Sequence, residues 1–183
     1  MPKIKQARRF LDLPGPRHSA VIDEIRSDSQ SDRAVAVVGA AYVDLVLLET
    51  ITRRLERPEP KVIKALFEDN GPLQPFGARI QLGYAMGIYG VGVLQDLSAM
   101  KEIRNAFAHS AEPLDFGNSD VARLSGAFNF PKRATFKGRP KAATPRELYV
   151  ATVELVTDTL LEDMSRRARG ISGVQFLQMK GRT

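Results

Sequence analysis

From Ala34 to Leu48 the chain is almost wholly apolar, interrupted only by the small Gly39 and by one acid, Asp44. A helix that is apolar on every side has to be covered on every side, in the centre of a bundle or at a contact between subunits. Ser27, Asp28, Ser29, Ser31 and Asp32 come just before it, residues that cap helices by accepting hydrogen bonds from free backbone N–H groups. A central helix is therefore expected over roughly Asp32–Glu56, stopped by Pro58 and Pro60. It is short for a membrane span, and Asp44 inside it with Arg53, Arg54 and Arg57 just beyond argues for a buried core helix. Asp44 then needs a partner, because an unpaired carboxylate in apolar surroundings is expensive; Arg33 and Arg79 are the candidates.

The rest of the chain reads as further helices. A short one is expected over Ser19–Arg26 after the break at Pro14-Gly15-Pro16, with Ile22 and Ile25 inward. Lys61–Phe67 makes a turn or two, and Asn70-Gly71-Pro72 marks a sharp turn. Phe76, Ile80, Tyr84 and Ile88 recur at helical spacing. Gly77, Gly83 and Gly87 within that stretch each cost about 1 kcal/mol relative to alanine, which suggests close approach by another backbone. Leu94, Leu97, Met100, Ile103 and Phe107 mark the next inner face. Between Ala111 and Ala143 periodicity is lost, and Val121, Leu124, Phe128 and Phe130 fit a short strand or a short helix equally well. Thr144-Pro145-Arg146-Glu147 is a capping box with proline in the first turn, opening a final helix to about Arg167 with Tyr149, Val153, Val156, Leu160 and Met164 on one stripe.

Cysteine is absent and the two histidines are far apart, so disulfides, thiolate metal sites and a His-based zinc site are not expected, and no cofactor is. The N-terminus lacks the apolar run of a secretory signal, so a cytoplasmic location without a membrane is expected. The net charge of +6 is unevenly placed. Residues 1–17, 131–141 and 165–183 together carry +14, leaving a body of −8. The expected organisation is a basic arm (1–17), one helical domain (18–168) with an irregular segment at 111–143, and a basic tail (169–183). Lys132, Arg133, Lys137, Arg139, Arg166 and Arg167 are candidates for RNA or DNA contact through phosphate neutralisation; the alternative is a set of solvated ends.

One short stretch gathers chemically capable side chains: Arg104, Asn105 and His109. Arginine offers a permanent planar cation suited to phosphate, and histidine is the side chain whose ordinary pKa permits proton transfer near neutrality. The same residues at a helix C-terminus also serve as capping groups.

Taken in order, Ser31-Asp32-Arg33, then Asn70-Gly71-Pro72-Leu73, then Phe76-Gly77-Ala78-Arg79-Ile80 with Tyr84-Ala85-Met86-Gly87, and finally Ile103-Arg104-Asn105-Ala106-Phe107-Ala108-His109-Ser110, the chain resembles the mannitol operon repressor family over roughly residues 20–125. The resemblance implies an all-α helical bundle that self-associates as a homodimer or other homo-oligomer, a non-enzymatic transcriptional regulator, and contact with another regulatory protein. Nothing in the sequence reads as a helix-turn-helix with a basic recognition helix. The Arg104-Asn105-x-x-x-His109 element is also similar to the motif of HEPN domains. If that likeness carries activity, it implies a metal-independent ribonuclease in which Arg104 holds the phosphate, His109 is general acid or base and Asn105 orients one of them.

Overall fold

The computed structural model describes residues 16–129 and 144–168. Within them lie seven helices and no strand: α1 (Pro16–Arg26), α2 (Asp32–Thr52), α3 (Pro60–Phe67), α4 (Phe76–Ala85), α5 (Val91–His109), α6 (Ser119–Gly126) and α7 (Pro145–Ala168). The fold is all-α, as expected.

The apolar helix α2 starts where the cap residues place it, with the Ser31 hydroxyl accepting from the Ala34 N–H at 3.2 Å. It ends earlier than Pro58 demands. Arg54 N–H bonds the Ile51 carbonyl and Leu55 N–H the Thr52 carbonyl, so the last turn tightens into i→i+3 bonds and unwinds. Helix α7 opens with the predicted reciprocal box. Thr144 N–H donates to the Glu147 carboxylate at 2.8 Å, and Glu147 N–H donates to the Thr144 hydroxyl at 3.2 Å.

Helices α2 and α7 lie side by side and parallel. At their starts Arg146 donates to Asp32 at 2.5 Å and to the carbonyls of Ser27 and Gln30. At their ends Arg54 donates to Asp163 at 2.5 Å. Between these ties the backbones come close at Gly39, where a Cβ would stand 3.1 Å from both Tyr149 Cε1 and Val153 Cγ2. Tyr149 is fully buried and its hydroxyl donates to the Ala36 carbonyl at 2.7 Å. Its ring meets Phe116 at 5.2 Å, and Phe116 meets Phe107 of α5 at the same distance, in tilted aromatic contacts. The final helix is more enclosed than its predicted stripe: Val150, Leu155 and Leu161 are buried as well, because α1, α2, α5 and α6 all pack on it.

The segment whose periodicity was ambiguous forms α6. Asn118 Oδ1 accepts from the N–H groups of Asp120 and Val121, and Val121 and Phe128 turn into the core. Asp96, buried in α5, then holds the end of this stretch by accepting from Asn129 N at 2.8 Å and Nδ2 at 3.0 Å. Phe130 and Phe136 fall outside the described residues.

The glycines of α4 do not admit another backbone. Gly87 takes φ +65° in the turn to α5, where Ile88 N–H bonds the Gly83 carbonyl and Gly87 N–H the Tyr84 carbonyl, a Schellman closure with Ile88 as its buried apolar partner. Gly83 leaves room for the Tyr89 ring, whose hydroxyl would lie 2.6 Å from an added Cβ and which donates to the Ile80 carbonyl at 2.7 Å. Gly83→Ala should therefore push Tyr89 off that carbonyl and lower stability by about 1–3 kcal/mol, despite alanine's better helix propensity. Chemical denaturation would check this; an unchanged or raised midpoint would mean that Tyr89 moves aside freely.

Candidate functional site

Asp44 finds one of its two candidate partners. Arg79, on the first turn of α4 and almost fully buried, donates Nε to Asp44 Oδ1 at 2.7 Å and Nη2 to the other carboxylate oxygen. Its Nη1 donates to the carbonyls of Leu73 (2.9 Å) and Gln74 (2.6 Å). One guanidinium thus fastens the loop after Asn70-Gly71-Pro72 and α4 itself to the middle of α2. Gly71 belongs to the same construction, since a Cβ there would fall 2.5 Å from the carbonyl oxygens of Ala65 and Leu66. Burial raises the Asp44 carboxyl above its usual range, opposed by the Arg79 hydrogen bonds and by the charges of Arg79 and Arg104. Arg33, the other candidate, instead donates to the carbonyls of Ser110 (3.0 Å) and Glu112 (3.2 Å) beyond the end of α5.

Arg104, Asn105 and His109 all lie on α5, which stays regular to its last residue, with Ser110 N–H bonding the Ala106 carbonyl. Arg104 and Asn105 are half-buried and His109 is exposed. Arg104 and His109 are five positions apart, about 140° round the axis. Arg104 is near enough to Asp44 and Tyr149 for its charge to act on both, yet it makes no hydrogen bond or ion pair among the described residues. No hydrogen bond joins the three side chains. Of the basic candidates, Lys132, Arg133, Lys137 and Arg139 lie outside the described residues. Arg166 pairs with Glu162 and Arg167 with Asp163, each one turn back on α7.

The other histidine has the more connected position. His18 Nδ1 is 2.8 Å from the Tyr42 hydroxyl and Nε2 is 2.8 Å from Asp158 Oδ1, which ties α1 to α2 and α7 at once. The carboxylate only accepts, so Nε2 carries a proton there and, in the neutral ring, Nδ1 accepts from Tyr42. Burial, with the Asp158 charge added, pushes the Tyr42 phenol up to about 12. The sequence offered only a weak signal for this group, a histidine beside the start of a short helix. Among the described residues no cluster of His, Asp and Glu is arranged to hold a metal.

Fold and site define a helical bundle tied by internal ion pairs, with Arg104, Asn105 and His109 in the last two turns of α5 and no hydrogen bond joining them. The sequence profile described as the mannitol repressor, MtlR, matches residues 38–162, and the chain belongs to that family. No curated protein matches it by sequence. Among solved structures, the X-ray structure of the MtlR–HPr complex from Escherichia coli is similar in fold, with a TM-score of 0.59 at 12% identity over 78% of this chain and 97% of that one.

Removing Arg79 would strand a carboxylate inside the bundle. Arg79→Ala should lose about 3–5 kcal/mol of folding stability, whereas the apolar double replacement Asp44→Leu/Arg79→Leu should recover most of it. Equal losses in a pair of urea titrations would refute the account of Arg79 as a charge partner.

Proposed function

We propose that this chain is a regulator of the mannitol operon repressor type, cytoplasmic and without catalytic activity, acting by self-association and by contact with another protein. The observation that carries this reading is the family match together with a fold like that of a relative solved in complex with HPr. The divergence of Arg104 from His109 round a regular helix is in keeping with it. The test is titration calorimetry of the purified chain with HPr: a saturable complex is expected, and no heat of binding at high micromolar concentrations would remove that partner.

A second reading, a HEPN-type ribonuclease, is favoured by one observation, the half-buried Arg104 guanidinium with no hydrogen bond or ion pair among the described residues. A cation in that state suits a phosphate. On the regulator reading neither the wild type nor His109→Ala cuts RNA in EDTA, and the substitution leaves the melting temperature within a few degrees because His109 is exposed. Cleavage by the wild type alone, leaving 2′,3′-cyclic phosphate ends, would replace the regulator by the nuclease.

A further inference from the structure

Among the described residues, the lysines and arginines that are withdrawn from solvent pair with carboxylates. Arg54 meets Asp163, Arg79 meets Asp44 and Arg146 meets Asp32. Even the less covered Lys101 and Arg166 reach Glu102 and Glu162. Arg104 is the exception: it is half-buried on α5, and its guanidinium has neither a hydrogen bond nor an ion pair. Asp44 lies near enough to feel its charge, but both carboxylate oxygens of Asp44 are taken by Arg79. Lys101 stands about one turn earlier on the same side of the helix, where two like charges repel, and Glu102 offsets only one of them. A positive charge and its N–H donors are therefore held partly out of water with no partner in the described chain.

We propose that Arg104 is the open half of an ion pair that a partner protein completes, with an aspartate or glutamate of the partner docking on the guanidinium where α5 lies against α2. The proposal rests on the protein-partner part of the reading above and names the residue through which the contact is made. A carboxylate has the geometry for it, because its two oxygens meet two parallel N–H groups of the guanidinium in a charge-assisted pair. Partial burial limits the screening of such a pair by salt. Arginine is also among the side chains that carry most of the binding energy in protein interfaces. The surroundings discriminate against a nucleic-acid strand. Exposed Glu102, Glu112 and Asp115 sit on α5 or just beyond it, and the chain apart from its basic ends and the 131–141 segment carries −8. A strand of phosphates needs a run of cations, and these acids repel it. A single carboxylate needs one cation, which Arg104 supplies.

Titration calorimetry of the full chain with HPr, at low and at physiological salt, tests this with Arg104→Gln and Arg104→Lys as variants and Arg123→Gln, exposed on α6, as a control. Arg104→Gln should raise the dissociation constant at least ~10-fold, and the control should match the wild type. Arg104→Lys should fall between them, because lysine keeps the charge and loses the planar fork. Added salt should weaken the wild-type complex more than that of Arg104→Gln. Melting temperatures should agree within a few degrees, because the Arg104 guanidinium holds no partner among the described residues. Equal affinity of the wild type and Arg104→Gln for HPr would overturn the docking role of Arg104 and leave the partner standing. If an RNA oligonucleotide then bound the wild type and not Arg104→Gln, the guanidinium would belong to a phosphate instead. No binding of HPr by the wild type would remove the partner and this docking site together.

Discussion

The seam between α2 and α7 is the constraint on which the other elements depend. The apolar α2 and the amphipathic α7 run parallel and nearly touch at Gly39, and every other helix except α3 is placed against one or both of them. The seam admits little variation, since Tyr149 and Val153 occupy the space that a side chain at Gly39 would need. Polar ties fix its register from outside: Asp32 with Arg146 at one end and Arg54 with Asp163 at the other. Apolar burial supplies the attraction, which has no direction of its own, and the ion pairs select one relative sliding of the helices.

The sequence revealed the elements better than their partners. The α7 box, the Ser31 cap and the Asn70-Gly71-Pro72 turn are local, because each is completed within a few residues, and they stand where the spacing placed them. The α6 segment was ambiguous because Val121, Leu124, Phe128 and Phe130 fit either period, and the Asn118 cap and the burial of Phe128 decide it. Long-range pairing was only half legible. That Asp44 required a cation followed from its surroundings, but the choice of Arg79 over Arg33 depends on where α4 lies. The glycines misled for the same reason: Gly83 accommodates the Tyr89 ring from the connection between α4 and α5, which no local rule displays.

The candidate site followed a similar pattern. Arg104, Asn105 and His109 stood out because their chemistry is versatile, and the fold spreads them round α5, one facing Asp44 and Tyr149 and one facing solvent. His18 stood out less, yet it joins three helices.

The parallel pairing of α2 with α7 bears on how the chain becomes a fold during synthesis. The contacts that close the bundle join residues far apart in sequence, such as Asp32 with Arg146, Arg26 with Glu154 and His18 with Asp158. Most helical proteins fold through local hairpins, whereas here the loop-closure entropy of more than a hundred residues has to be overcome before the core gains its main contacts. On a ribosome α1, α4 and α5 can cover parts of α2 as they emerge, but its side at Gly39 waits for α7, a window in which the nascent chain invites chaperones or aggregation.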